Sequence, residues 1–79
     1  MNWRDHIVAD SEILAGRPVI RGTRLSVDFL LGLLAEGWSE DQISANYPPV
    51  TRDAILAVFA YAAEILADEA TFPVRREAG

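Results

Sequence analysis

Apolar residues fall along this chain in two regimes. Up to Leu25 they come in pairs separated by polar, charged or turn-forming residues, and from Val27 onward they recur at helical intervals. The first regime predicts a small β element. Ile7-Val8 and Ile13-Leu14, separated by Ala9-Asp10-Ser11-Glu12, read as strand, turn and second strand. Pro18-Val19-Ile20 and Arg24-Leu25 flank Arg21-Gly22-Thr23, where Gly22 supplies the positive φ of a tight hairpin. Pro18 confines its strand to an edge.

The second regime predicts three helices. Ser26 is an N-cap, and Asp28 lies in the first turn, where the helix dipole favours an acid. Val27, Leu30, Leu31 and Leu34 then share one face, with Phe29 and Leu33 beside them. Gly37 closes this helix through a left-handed residue. Ser39 to Gln42 forms a capping box, and the short helix behind it carries Ile43 and Tyr47 before Pro48-Pro49 stops it. Thr51 caps a third helix, from Arg52 to about Glu69, with no internal Gly or Pro. The expected fold class is mainly α: a short N-terminal β-hairpin followed by a three-helix, homeodomain-like (helix-turn-helix-like) bundle.

The third helix divides into three faces. Ile55, Val58, Phe59, Ala62, Ile65 and Leu66 form the expected core face, and Ala57, Tyr61, Glu64 and Asp68 the wet face. Leu56, Ala60, Ala63 and Ala67 form a stripe of mostly small residues that lets another helix approach closely. That helix is either the first helix of the same chain or one from a second subunit. With 79 residues, 51% of them hydrophobic, the chain has a core near the lower size limit for independent folding, and association often completes such a core. A homodimer through the stripe is therefore expected. Residues 1–70 make one domain and residues 71–79 a tail.

Composition narrows the chemistry. The absence of cysteine removes disulfides, thiolate catalysis and zinc-finger sites. No apolar run reaches the roughly 18 residues of a membrane span, and Met1 to His6 lack an apolar signal core. The expectation is a cytoplasmic protein with no membrane partner. His6, the single histidine, has no evident partner and reads as solvated. Glu40-Asp41 serve a helix dipole, and Asp68-Glu69 read as a solvated helix end. No phosphate loop or metal-ligand spacing occurs, so no catalytic residue, metal or cofactor is expected, and the chain is read as a non-enzyme.

Charge is distributed unevenly. All seven cations are arginine against twelve acids, a net charge of −5, yet Gly16 to Arg24 holds three arginines and no acid. Arginine's planar fork suits phosphate or carboxylate. In a helix-turn-helix the third helix would read DNA, but Arg52 is its only cation, so Thr51 and Arg52 at its tip are the sole candidates there. Arg17, Arg21, Thr23 and Arg24 of the hairpin are the stronger ones, since a two-stranded ribbon also enters a groove. The alternative is that these arginines pair with acids of the helical body. In the tail, Phe72 and Val74 with Arg75 and Arg76 combine apolar anchors and cations across Pro73, a composition suited to docking on a partner.

Ile13, the run Gly16-Arg17-Pro18-Val19-Ile20-Arg21-Gly22-Thr23-Arg24, then Val27, Leu34, Gly37-Trp38-Ser39, Ile43, Tyr47-Pro48, Thr51 and Ile55 together resemble Domain of Unknown Function 433. The likeness spans roughly residues 5–67 and centres on a Gly-x-Pro-x-Ile-x-Gly-Thr-Arg signature. The commonest form has Lys where this chain has Arg17, which keeps the charge. That family is described as VapB-like antitoxins with a homeodomain-like fold. The resemblance implies a type II antitoxin that neutralises a PIN-like nuclease toxin encoded nearby and binds its own operator DNA, with Phe72, Val74, Arg75 and Arg76 as candidate toxin contacts. The alternative is a stand-alone DNA-binding transcriptional regulator without a toxin partner.

Overall fold

The computed structural model describes residues 2–69. A 3-10 turn, Trp3–Asp5, leads into strand β1 (Ile7–Ala9), a tight turn at Leu14–Gly16 and strand β2 (Pro18–Ile20). Helices α1 (Val27–Ala35), α2 (Glu40–Asn46) and α3 (Arg52–Glu69) follow. The fold is mainly α, with a two-stranded antiparallel ribbon at its start.

The strand pairing differs from the sequence expectation. β1 pairs with β2, setting Ile7 opposite Ile20, Val8 opposite Val19 and Ala9 opposite Pro18. Ile13-Leu14 is not a strand. Leu14, Ala15 and Gly16 all take positive φ, at 50°, 56° and 85°, and the turn closes through Gly16 N–H to Ile13 O and Arg17 N–H to Leu14 O. Left-handed backbone costs roughly 1–2 kcal/mol at each non-glycine residue. The turn is held because β2 behind it brings Val19 and Ile20 into the interior, which the two-residue pair Ile13-Leu14 does not match. Arg24-Leu25 is likewise not a strand. Gly22 makes the expected positive-φ turn at 82°, and Ile20 N–H bonds Leu25 O, but Ser26 caps α1 so soon afterwards that only a single bridge, Val19 to Ser26, forms.

The helix ends follow their capping chemistry. Ser26 Oγ accepts the Phe29 N–H at 3.1 Å. α1 ends in a Schellman motif: Trp38 N–H reaches Leu33 O and Gly37 N–H reaches Leu34 O, with Gly37 at φ 98°. The Ser39–Gln42 box is reciprocal, at 3.1 and 2.8 Å. Thr51 Oγ1 accepts from Ala54 N–H at 3.1 Å. Ser44 ties the end of α2 to the start of α3 by donating to Val50 O at 2.7 Å.

The interior is Ile7, Val19, Ile20, Val27, Leu30, Ile43, Val50, Ala54, Ile55, Ala57 and Val58. For α3 this corrects the expected faces. Ala57, assigned to the wet side, is fully buried, and Tyr61 packs on the core, whereas Phe59, Ile65 and Leu66 are exposed. Two small residues, Ala54 and Ala57, let α3 lie close against the rest of the chain, and the Trp3 turn docks on the Tyr61–Glu64 side. Past Ala62 every side chain to Asp68 is exposed, so size alone does not carry Ile65 or Leu66 inward.

Candidate functional site

The arginine-rich run is largely turned to internal work. Arg17 pairs with Asp28 in the first turn of α1 at 3.1 Å. Arg21 donates from Nη2 to Arg4 O at 3.0 Å and from Nε to Asp5 O at 3.1 Å, fastening the hairpin turn to the N-terminal turn. Thr23 Oγ1 donates to Ile20 O and accepts from Leu25 N–H, at 2.8 and 2.9 Å, and so belongs to the turn itself. Arg24 is exposed and has no hydrogen-bond partner among the described residues. Internal pairing, the alternative raised for these arginines, therefore describes Arg17, while Arg21 uses backbone carbonyls rather than acids.

At the α2–α3 junction Thr51 is occupied as a cap, and Arg52 pairs with Glu40 at 3.1 Å. Arg52 is largely exposed although Glu40 is partly covered, and an ion pair with one solvated partner contributes little. Among the described residues no hydrogen bond or ion pair joins Thr51-Arg52 to the Gly22 turn.

The N-terminal turn makes a second fastening. Trp3 meets Tyr61 edge-on with ring centroids 4.8 Å apart, and its indole N–H donates to Glu64 Oε1 at 3.0 Å. Arg4 lies over the Trp3 ring at 4.2 Å and pairs with Glu64 at 3.3 Å. The Trp3 hydrogen bond, aided by Arg4 and opposed by partial desolvation, holds the Glu64 carboxyl below its ordinary range. His6 donates its backbone N–H to Trp3 O and accepts from Arg21 N–H through its own carbonyl, so its backbone, at least, is structural.

These fastenings frame an open apolar groove of about 350 Å³. Its walls are Val27, Asp28 and Leu31 from α1, Tyr61, Ala62, Ile65 and Leu66 from α3, and Pro18 from β2. The run Gly16–Arg24 contributes twice, through Pro18 in the wall and through Arg17, which holds Asp28 at the rim. The groove is the feature missed in the sequence. The inward setting of Tyr61 rotates α3 so that Ile65 faces the first turn of α1, and Ala57 and Tyr61 on the face read as wet were the signals for it. Among the described residues no group of three His, Asp or Glu side chains comes together to hold a metal ion, and no helix is long and apolar enough to cross a membrane. Leu56, Ala63 and Ala67 are exposed and Ala60 is half-buried, and none of the four lines the groove. Phe72, Val74, Arg75 and Arg76 lie outside the described residues.

A family model described as a protein of unknown function (DUF433) matches residues 7–62, the span that contains the ribbon, the arginine turn, α1, α2 and most of α3. No curated protein and no solved structure matches the chain.

Proposed function

The chain belongs to the DUF433 family, and on that premise we propose that it is a VapB-like antitoxin, a binding protein that neutralises a PIN-like nuclease toxin encoded nearby by direct contact. The observation that carries this reading is the groove. It is apolar, open and lined from three elements, and its one charged wall residue, Asp28, is already paired. Such a surface takes up an apolar helix or strand of another protein. It offers no convergent acid, base or nucleophile for turnover. Phe72, Val74, Arg75 and Arg76 follow α3 in sequence and supply a second contact in this reading.

Co-expression with the product of the adjacent open reading frame tests it. A stable complex is expected, and Ile65→Glu, which places a charge in the groove wall at an already exposed position, should abolish it and release nuclease activity. A complex that survives Ile65→Glu unchanged refutes the groove as the site. If the adjacent frame encodes no nuclease and no complex forms, the antitoxin reading fails altogether.

Operator binding is the second reading, and Arg24 favours it. Exposed just after the Gly22 turn and without an internal partner among the described residues, it is the candidate cation best placed to meet phosphate. In a stand-alone regulator built on a homeodomain-like α2–α3 pair, Thr51 and Arg52 would have to leave their present partners. Retarded migration of the chain's own upstream DNA, lost in Arg24→Ala, supports ribbon contact.

A further inference from the structure

α3 carries two apolar arcs. One faces the interior through Ala54, Ile55, Ala57 and Val58. The other faces outward through Leu56, Phe59 and Ala63 and ends at Leu66, which also borders the groove, with Leu56 39%, Phe59 45% and Leu66 67% exposed. The steps between these four positions alternate between three and four residues, the spacing of the a and d positions of a helix–helix seam. Ala60 and Ala67 flank the seam, and no charged residue lies between Asp53 and Glu64. An exposed apolar stripe of this length marks an interaction surface.

We propose that the stripe is covered by the same stripe of a second copy of this chain, the two α3 helices packing antiparallel about a two-fold axis near Tyr61. Side-chain size selects this arrangement. Antiparallel seams set a against d, which places Leu56 against Leu66 of the partner subunit and Phe59 against Ala63 of the partner subunit, a large ring over a small residue. A parallel, in-register pair would oppose Phe59 to itself and Ala63 to itself, crowding one layer and hollowing the next. A two-fold pairing also satisfies both copies with one surface, as an isologous interface requires.

Charge selects the same occupant. A chain of net charge −5 repels its own copy except across an uncharged face, and this stripe is one. α3 also carries charges unsuited to its own dipole: Arg52 as its first residue, and Asp68 and Glu69 in its last turn. Antiparallel packing brings Arg52, which pairs with Glu40 in its own chain, level with the acidic last turn of the other helix. It sets Asp53 near Ala67 of the partner subunit, so no like charges meet along the flank.

Single cysteines report the register cleanly, because the chain has none of its own. With the axis at Tyr61 and a rise of 1.5 Å per residue, two Ala60→Cys sites lie about 3 Å apart along the helix axes, and two Leu66→Cys sites about 15 Å apart. A short bismaleimide should join Ala60→Cys chains to each other and Leu56→Cys chains to Leu66→Cys chains, but not Leu66→Cys chains to themselves. The unmodified chain should run as a dimer in light scattering. Phe59→Glu and Ala63→Glu should each weaken dimerisation at least about a hundredfold with helix content by circular dichroism unchanged. A monomer at high micromolar concentration overturns the proposal, as does equal cross-linking of Leu66→Cys. A monomer that captures the adjacent gene product through Phe59 assigns the stripe to that partner and overturns it too. The groove variant Ile65→Glu should leave the dimer intact, which separates this test from that of the antitoxin reading.

Discussion

Replacing Trp3 with alanine removes the main link between the N-terminal turn and α3, and its cost follows from the contacts. The half-buried indole removes about 100 Å² of apolar surface from water, worth about 2.5 kcal/mol at 25 cal/mol per Å². That figure is an upper estimate, because unfolded chains are already partly compact. The edge-on pair with Tyr61 at 4.8 Å adds about 1 kcal/mol. The Arg4 stacking and the Glu64 contacts are exposed and add little. Trp3→Ala should therefore cost about 2–3 kcal/mol. A chain of this length has about 4–12 kcal/mol in total, at about 0.05–0.15 kcal/mol per residue. Urea unfolding followed by circular dichroism would show the loss as a lower midpoint at unchanged slope. Trp3→Phe separates the components, keeping a ring edge on Tyr61 while deleting the N–H that lowers the Glu64 pKa. The stabilisation from that lowered pKa is complete above the unfolded pKa of Glu64 and is lost as pH falls through its folded value. The gap between wild type and Trp3→Phe should accordingly be full at neutral pH and narrow below the ordinary glutamate range to the part that ring size alone contributes. A Trp3→Ala cost under about 0.5 kcal/mol, or a Trp3→Phe gap independent of pH, would refute this account.

Two exposed glycines should respond oppositely to alanine. At Gly37, where φ is 98° and a Cβ meets nothing, strain alone costs about 1–2 kcal/mol. At Gly32, inside α1 and equally unobstructed, the same change should stabilise by about 0.5–1 kcal/mol; thermal unfolding distinguishes the signs. Arg17→Ala should leave global stability within about 0.5 kcal/mol, since its pair with Asp28 is exposed, and a larger loss by urea titration would show that the rim of the groove is structural. If operator DNA is bound through the ribbon turn, Arg24→Ala should lower the salt slope of binding by about one phosphate contact, while an unchanged slope places the contact elsewhere.

The helical part of the fold was legible because its ends are written in local chemistry. Ser26, Gly37, Ser39 with Gln42, and Thr51 each act within four residues of themselves, and each is found in its expected role. The ribbon was less legible. The partner of Ile7-Val8 is decided by which distant pair fills the interior, and Val19-Ile20 displaced the nearer Ile13-Leu14. α3 misled in a different way. Alanine lies on both of its apolar arcs, so placing the larger residues inward is a reasonable reading; yet the neighbouring elements accept Ala54 and Ala57 and leave Phe59 outside. Counting arginines also overstated the free positive charge, because Arg17 and Arg21 spend their donors within the chain. The Tyr61–Ile65 wall of the groove depends on the same helix rotation, which only the tertiary packing decides.

The bareness of the second half of α3 has a thermodynamic consequence. The segment after Ala62 is far shorter than the roughly 12–15 residues at which an isolated helix becomes even marginally stable in water, and none of its side chains to Asp68 is buried in the interior. Its helicity is propagated from the packed first half. A ligand that covers these turns therefore contributes to completing the helix, and its affinity and the local opening equilibrium are two readings of one free energy. Amide exchange from Ala63 to Asp68 should slow as such a ligand is added, while exchange at Val58 stays set by the core. Association at this end of the molecule should also show the negative heat-capacity change of coupled ordering and burial.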